Sequence, residues 1–268
     1  MPAAAKAPYL RLRQVCLVAH DLAKAEADVT EVLGLEVCHR DPNVGRYGLE
    51  NFLVPIGTSF LEVVAPKTPG TETAAGRYLQ RRRGDGGYMV IMDCDDVAPW
   101  RTHMGTVGVR LVEDRAYEDT SGTGAHLMQF HPRDTGACIM EIDHHVGGDD
   151  LHGHYQWAGD HWQDHVRNDR ALEIAGVVLQ SEEPDALAKR WAQILKRPRD
   201  QKFGAIFLDN AAIDFAHARD GRGEGLAGIG ISVKDKGTVL ETAKARGLQT
   251  SDTAVMICGT RFELVDAA

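Results

Sequence analysis

The sequence predicts an α+β fold in which one unit, a strand, a helix and two or three further strands, is used four times. Three observations carry this expectation. The same order of elements recurs along the chain. Residues 146–169 interrupt it with a segment rich in Gly, Asp, His and Trp. The run Cys138-Ile139-Met140-Glu141-Ile142 is apolar on both faces of a strand, as befits the inside of a sheet. A lone unit cannot cover its own sheet, so the units should pair to enclose cores.

In the first unit, Val15 to Leu22 reads as a strand ending in Asp21, which can cap the following helix. Ala25, Val29, Val32 and Leu33 share one face of the helix Ala23 to Leu33, and Gly34 ends it. Asn51 to Pro55 and Ser59 to Val64 are strands. The second unit has a strand at Tyr88 to Val97, a helix at Trp100 to Val107, and strands at Gly124 to His131 and Ala137 to Asp143. Pro132, Asp134 and Gly136 supply a tight turn between the last two.

The third unit is strand Ala171 to Gln180, amphipathic helix Pro184 to Lys196, and a hairpin of Ala205 to Leu208 with Ala212 to Ala216. The fourth is Gly228 to Val233, helix Lys236 to Arg246, then strands Ala254 to Cys258 and Arg261 to Val265. The expected domains are therefore 9–145 and 170–268, joined by the linker 146–169. Trp157 and Trp162 suggest that this linker packs onto a domain, and its histidines form either a metal-binding tract or a plain connection.

The bulk numbers narrow the function. A net charge of −9 without a long basic stripe argues against nucleic-acid and anionic-membrane partners. Arg81-Arg82-Arg83, the densest basic run, reads as a solvated helix end. Met1 to Pro8 lacks the apolar core of a secretory signal, and no apolar run approaches the ~20 residues of a membrane span. Five scattered cysteines without Cys-x-x-Cys spacing fit reduced thiols in the cytoplasm. Glu141 reads either as a ligand or catalytic acid, or as a partly wet strand-edge residue, because a buried carboxylate needs a partner.

Several segments resemble the vicinal oxygen chelate superfamily, which includes glyoxalase I, methylmalonyl-CoA epimerase, extradiol dioxygenases and drug-binding resistance proteins. Leu61-Glu62-Val63-Val64-Ala65-Pro66, Tyr78-Leu79 followed by Gly84-Asp85-Gly86-Gly87, Gly108-Val109-Arg110-Leu111, and Phe130 to Gly136 are similar to epimerase segments. The likeness spans roughly residues 11 to 145; the second half resembles paired-domain glyoxalase-like proteins in module order only. The resemblance implies four βαβββ modules in two cupped mixed sheets. It further implies a divalent metal, Mg²⁺, Mn²⁺, Zn²⁺ or Fe²⁺, held by Gln14, Glu62 and Glu141. Met89, of the pair Tyr88-Met89, stands where the pattern has a histidine ligand, and thioether is a poor ligand for hard cations. Without a metal, Glu62 and Glu141 would repel and one would hold a proton, which makes an acid/base pair.

These positions imply catalytic Glu141 and Glu62, with Tyr88, Met89 and His131 contacting substrate and His20 in reserve. In the second half, Gly176, Asp214, Gly228 and Glu263 fall near the matching positions and suggest a structural or covering role. No half supplies the two-His, one-carboxylate iron site of extradiol dioxygenases. Two readings follow. One is an isomerase, epimerase or lyase that abstracts a proton from a small oxygenated metabolite, in a possible homodimer. The other is a metal-free small-molecule binding protein of the drug-sequestering type, with Tyr88 and the tryptophans stacking on its ligand.

Overall fold

The computed structural model describes residues 8–117 and 124–267. The stretch Met1 to Ala7, most of the segment read above for a secretory signal, lies outside them. Strand β1 (Leu10–Val18) leads to helix α1 (Leu22–Leu33), then β2 (Leu49–Ile56) and β3 (Ser59–Pro66). Asp21 accepts from the Lys24 N–H at the start of α1, and Gly34 ends it at φ 68°, a left-handed position that suits a residue without Cβ. The four residues expected on its inner face are all buried.

Helix α2 (Ala74–Arg82) then leads to β4 (Gly86–Cys94), α3 (Val97–Thr106), β5 (Leu111–Tyr117), β6 (Ala125–Phe130), the single turn α4 (Pro132–Thr135) and β7 (Ile139–His145). The second half continues with β8 (Ala171–Ser181), α5 (Pro184–Leu195), β9 (Ile206–Phe207), β10 (Ala212–His217), β11 (Gly225–Val233), α6 (Lys236–Ala245), β12 (Ala254–Ile257) and β13 (Thr260–Asp266).

In each unit the first strand pairs parallel with the last: β1 with β3, β4 with β7, β8 with β10, and β11 with β13. Antiparallel seams β1–β4 and β8–β11 join the units two by two. Of the three strands that the βαβββ pattern puts after each helix, the first is complete only in the second unit, as β5. In the other three units it is reduced to one bridge each, His39 to Leu53, Arg199 to Ile206 and Thr250 to Val255. Pro42 and Pro198 adjoin two of these bridges, and proline cannot donate to a ladder.

Three local expectations change. Helix α2 occupies a stretch read only as a Gly-rich approach with a basic end; Thr73 caps it. Within that basic run Arg82 is buried, not solvated. It donates to the backbone carbonyls of Arg222, Gly223 and Glu224 and ties α2 to the second half. Finally, β5 is an edge strand in which no residue is buried and Glu113, Asp114 and Arg115 follow one another, so it shows no apolar period to read.

The two halves meet where β4 bridges β11 at Gly87 and Leu226. A Cβ at Gly87 would collide with the backbone carbonyl and side chain of Leu226. We therefore expect Gly87→Ala to destabilise the protein by about 2 kcal/mol or more, read from the urea midpoint. An unchanged midpoint would mean that the two sheets are not held in register there. Among the described residues no helix is long and apolar enough to cross a membrane.

The linker packs, as its tryptophans suggest. Trp162 and Tyr155 are fully buried in a small core with Phe60, whose ring stacks on Tyr155 at 4.6 Å and meets Trp162 edge-on at 5.0 Å. Its histidines assemble no metal-binding group of three or more His, Cys, Asp and Glu among the described residues.

Candidate active site

A β-bulge opens the site. The register of β1 against β4 slips between Leu12 and Gln14. Leu10 and Leu12 before the slip, and Val15 and Leu17 after it, therefore share the main core under the helices. Gln14 faces the other way, into the concavity, and Cys16 packs in a small cluster with Tyr78 and Tyr88. The Asn210 side chain brackets the bulge, accepting from the Leu12 N–H (2.8 Å) and donating to its carbonyl (2.9 Å). The second half thus stabilises the distortion that points Gln14 inward.

The concavity is a cavity of about 680 Å³. Gln14, Glu62, Tyr88, Met89, His131 and Glu141 all line it. Glu62 on β3 and Glu141 on β7 reach the cavity from strands that β1 and β4 separate. His131 also accepts from the Arg133 N–H and caps α4. His20 is exposed, pairs with Asp85 at 2.8 Å, and does not line the cavity.

Each carboxylate has its own environment. Glu62 accepts from Asn51 Nδ2 at 2.6 Å and from Gln14 Nε2 at 2.9 Å. Burial raises its pKa, opposed by Asn51, the Cys16 thiol and Gln14. The Gln14 carbonyl oxygen in turn accepts from the Tyr155 hydroxyl at 2.9 Å. Glu141 is 6% exposed and accepts from Gln129 Nε2 at 3.0 Å. Burial pushes its pKa up to about 7, with Gln129 and Asp143 opposing the rise and the Glu62 charge adding to it.

Asp143 lies two residues further along β7, on the same face as Glu141. Burial first, then the Glu141 charge, drives its pKa well above the usual carboxylate range. Trp157 Nε1 donates to one oxygen at 2.7 Å, and the other has no protein partner. The interaction of Asp143 with Glu141 in turn lowers the Glu141 pKa. Asp143→Ala removes that interaction, so the Glu141 pKa should rise further, a shift measurable by carboxyl ¹³C NMR titration. A fall would show that Asp143 acts on Glu141 as a negative charge instead.

Asn51, Gln129, Asp143 and Tyr155 are not among the site residues read from the sequence, and Trp157 is there only as one of the tryptophans that could stack on a ligand. The alternation Glu141, Asp143, His145 was a signal for one of them. The others become partners only through cross-strand register or the fold of the linker.

The donors implied by the resemblance do not fit a hard divalent cation as they are arranged. The Gln14 oxygen and both Glu62 oxygens already accept hydrogen bonds, and the fourth position offers the Met89 thioether. In the second half, Gly228 and Glu263 line a separate concavity, but Glu263 is paired with Arg261 and Gly176 brings no side chain.

Comparison with known proteins agrees with this architecture. The human mitochondrial methylmalonyl-CoA epimerase is 23% identical over 136 residues, 50% of this chain and 73% of that protein. A triple mutant of 4-hydroxymandelate synthase from Streptomyces coelicolor superposes with a TM-score of 0.65 at 16% identity, over 90% of this chain and 76% of that one. The Mn(II)-bound glyoxalase from Novosphingobium aromaticivorans gives 0.62 at 12% identity, over 97% and 83%. These structural likenesses show the fold. The model of the glyoxalase-like domain matches residues 15–195, which takes in both units of the first cup from Val15 on, and the chain belongs to that family within the vicinal oxygen chelate superfamily.

Proposed function

We propose that this protein moves a proton on a carbon beside a carbonyl in a small oxygenated metabolite, as an epimerase or isomerase, with residues 9–145 as the catalytic unit. The observation that carries this reading is the pair of buried carboxyls, Glu62 and Glu141, lining one cavity from two strands, β3 and β7. In this reading residues 146–169 connect, and residues 170–268 support the first cup.

The chemistry balances with these two groups alone. Glu141, ionised as its pKa near 7 allows, takes the α-proton, and the electron pair moves onto the carbonyl oxygen as an enolate. Glu62, in the protonated form that burial favours, returns a proton to the opposite face of the carbon. The product carries the inverted centre, and the two carboxyls have exchanged protonation states, which solvent resets. Gln14 and Asn51 hold Glu62 in place, and Gln129 and Asp143 hold Glu141. No step runs through a metal, because the donor set does not fit one.

The test is proton wash-out. Small chiral carbonyl compounds with an acidic α-proton, incubated with the protein in D₂O, should lose their α-proton signal in ¹H NMR. Added Mn²⁺ should leave the rate unchanged. A second reading, sequestration of an unchanged planar ligand, is favoured by the aromatic lining of Tyr47, Tyr78, Tyr88, Tyr117 and Trp157. Tight binding without exchange in any such compound would support sequestration over proton transfer.

A further inference from the structure

Five arginines line this cavity in a chain of net charge −9: Arg46, Arg77, Arg81, Arg115 and Arg133. They come from four elements: the 3₁₀ turn Pro42–Tyr47, α2, β5 and α4. Arg115 is neutralised by Glu113, which also accepts from the Tyr47 hydroxyl. Among the described residues none of the other four has a carboxylate partner. Arg77 donates to the backbone carbonyls of Thr71 and Glu72, and Arg46 to the carbonyl of Asn43 and the hydroxyl of Tyr117. Arg81 lies over the Tyr78 ring. The one other acidic residue at the mouth, Asp41, is turned to Asn43.

A solvated helix face would scatter its charges outward, and Arg83 does not line the cavity. Arg77 and Arg81 instead stand one turn apart on the wall that Ala74 and Tyr78 also form. The charge is also graded with depth. The exposed Arg46, Arg77, Arg81 and Arg133 make up the mouth, and the buried carboxyls Glu62 and Glu141, with the buried Tyr78 and Tyr88, the floor. The floor repels an anion and the mouth attracts one.

We infer that the substrate is an elongated oxyanion, whose carboxylate or phosphate head is held at the mouth by Arg77, Arg81 and Arg133 while its carbonyl end reaches the floor. The inference rests on the proposed proton transfer only for what happens at the floor; the anion site stands without it. Guanidinium binds either oxyanion through paired hydrogen bonds, so the head group is named by experiment.

Calorimetric titration of the full-length protein with inorganic pyrophosphate, succinate and neutral succinamide tests this. One or both anions should bind, more weakly as salt is raised, and succinamide should not. The tighter anion names the head group. The double variant Arg77→Gln, Arg81→Gln should weaken anion binding about tenfold, and Arg133→Gln should weaken it further, with the melting temperature unchanged because all three side chains are exposed. Equal binding of succinamide, undiminished binding by the double variant, or no anion binding at millimolar concentration would overturn the inference. Binding is read without turnover. Loss of proton transfer in a Glu141→Gln variant that still binds the anion therefore separates the two readings.

Discussion

Glu141→Gln should slow α-proton exchange about a thousandfold, the range expected when a general acid/base is removed. The substitution keeps the shape and the acceptor that Gln129 uses, so the loss would be chemical. Wild-type exchange should rise with pH through about 7, where Glu141 ionises. The same group makes stability depend on pH. Its folded pKa is raised, so its contribution is complete below the unfolded value near 4.5 and is lost as pH rises through about 7. Wild type should therefore weaken between pH 4.5 and 7 by about 3 kcal/mol on account of this group. The Gln variant should not show that slope, so it should be the more stable protein at pH 8. Denaturant titrations at pH 5 and pH 8 measure both arms. A variant with wild-type exchange would remove Glu141 from the mechanism, and identical pH slopes would mean that its carboxyl is not titrating inside the fold.

Trp162→Ala should give the largest loss of stability, about 4 kcal/mol. The indole is fully buried, meets Phe60 edge-on and helps enclose the Arg13 guanidinium, which lies 5.8 Å from its ring and 5.0 Å from that of Tyr155. Removing it opens a cavity beside a buried cation. It also loosens the linker that delivers the Tyr155 hydroxyl to Gln14. The urea midpoint reports the first effect, and slower exchange at saturating substrate would report the second. A change under 1 kcal/mol would make the linker a passive connection rather than part of the first cup.

The repeat was legible because each unit announces itself locally. Apolar runs of strand length, Asp21 as a helix cap, and the i, i+3, i+4 face of α1 all depend on neighbours within a few residues. Residues Gln14, Glu62 and Glu141 were found by their places within a repeated module, and they do face one cavity. What was missed depends on distant contacts. Edge strand β5 buries too little to show a period, and Arg82 looks solvated until the carbonyls of residues 222–224 are brought to it. The five mouth arginines are scattered over almost ninety positions of sequence, from Arg46 to Arg133.

The sequence alone determined the modules, their pairing and which strands carry carboxyls, because period, caps and turns are written in short-range pattern. Only the tertiary structure decided how those carboxyls behave. The slip at Arg13 turns Gln14 into the cup, cross-strand register sets Asn51 and Gln129 on the two glutamates, and burial, against the pull of Gln129 and Asp143, draws Glu141 toward neutrality. Such effects arise from atoms far apart along the chain, whose distances and desolvation exist only once the sheet has curled.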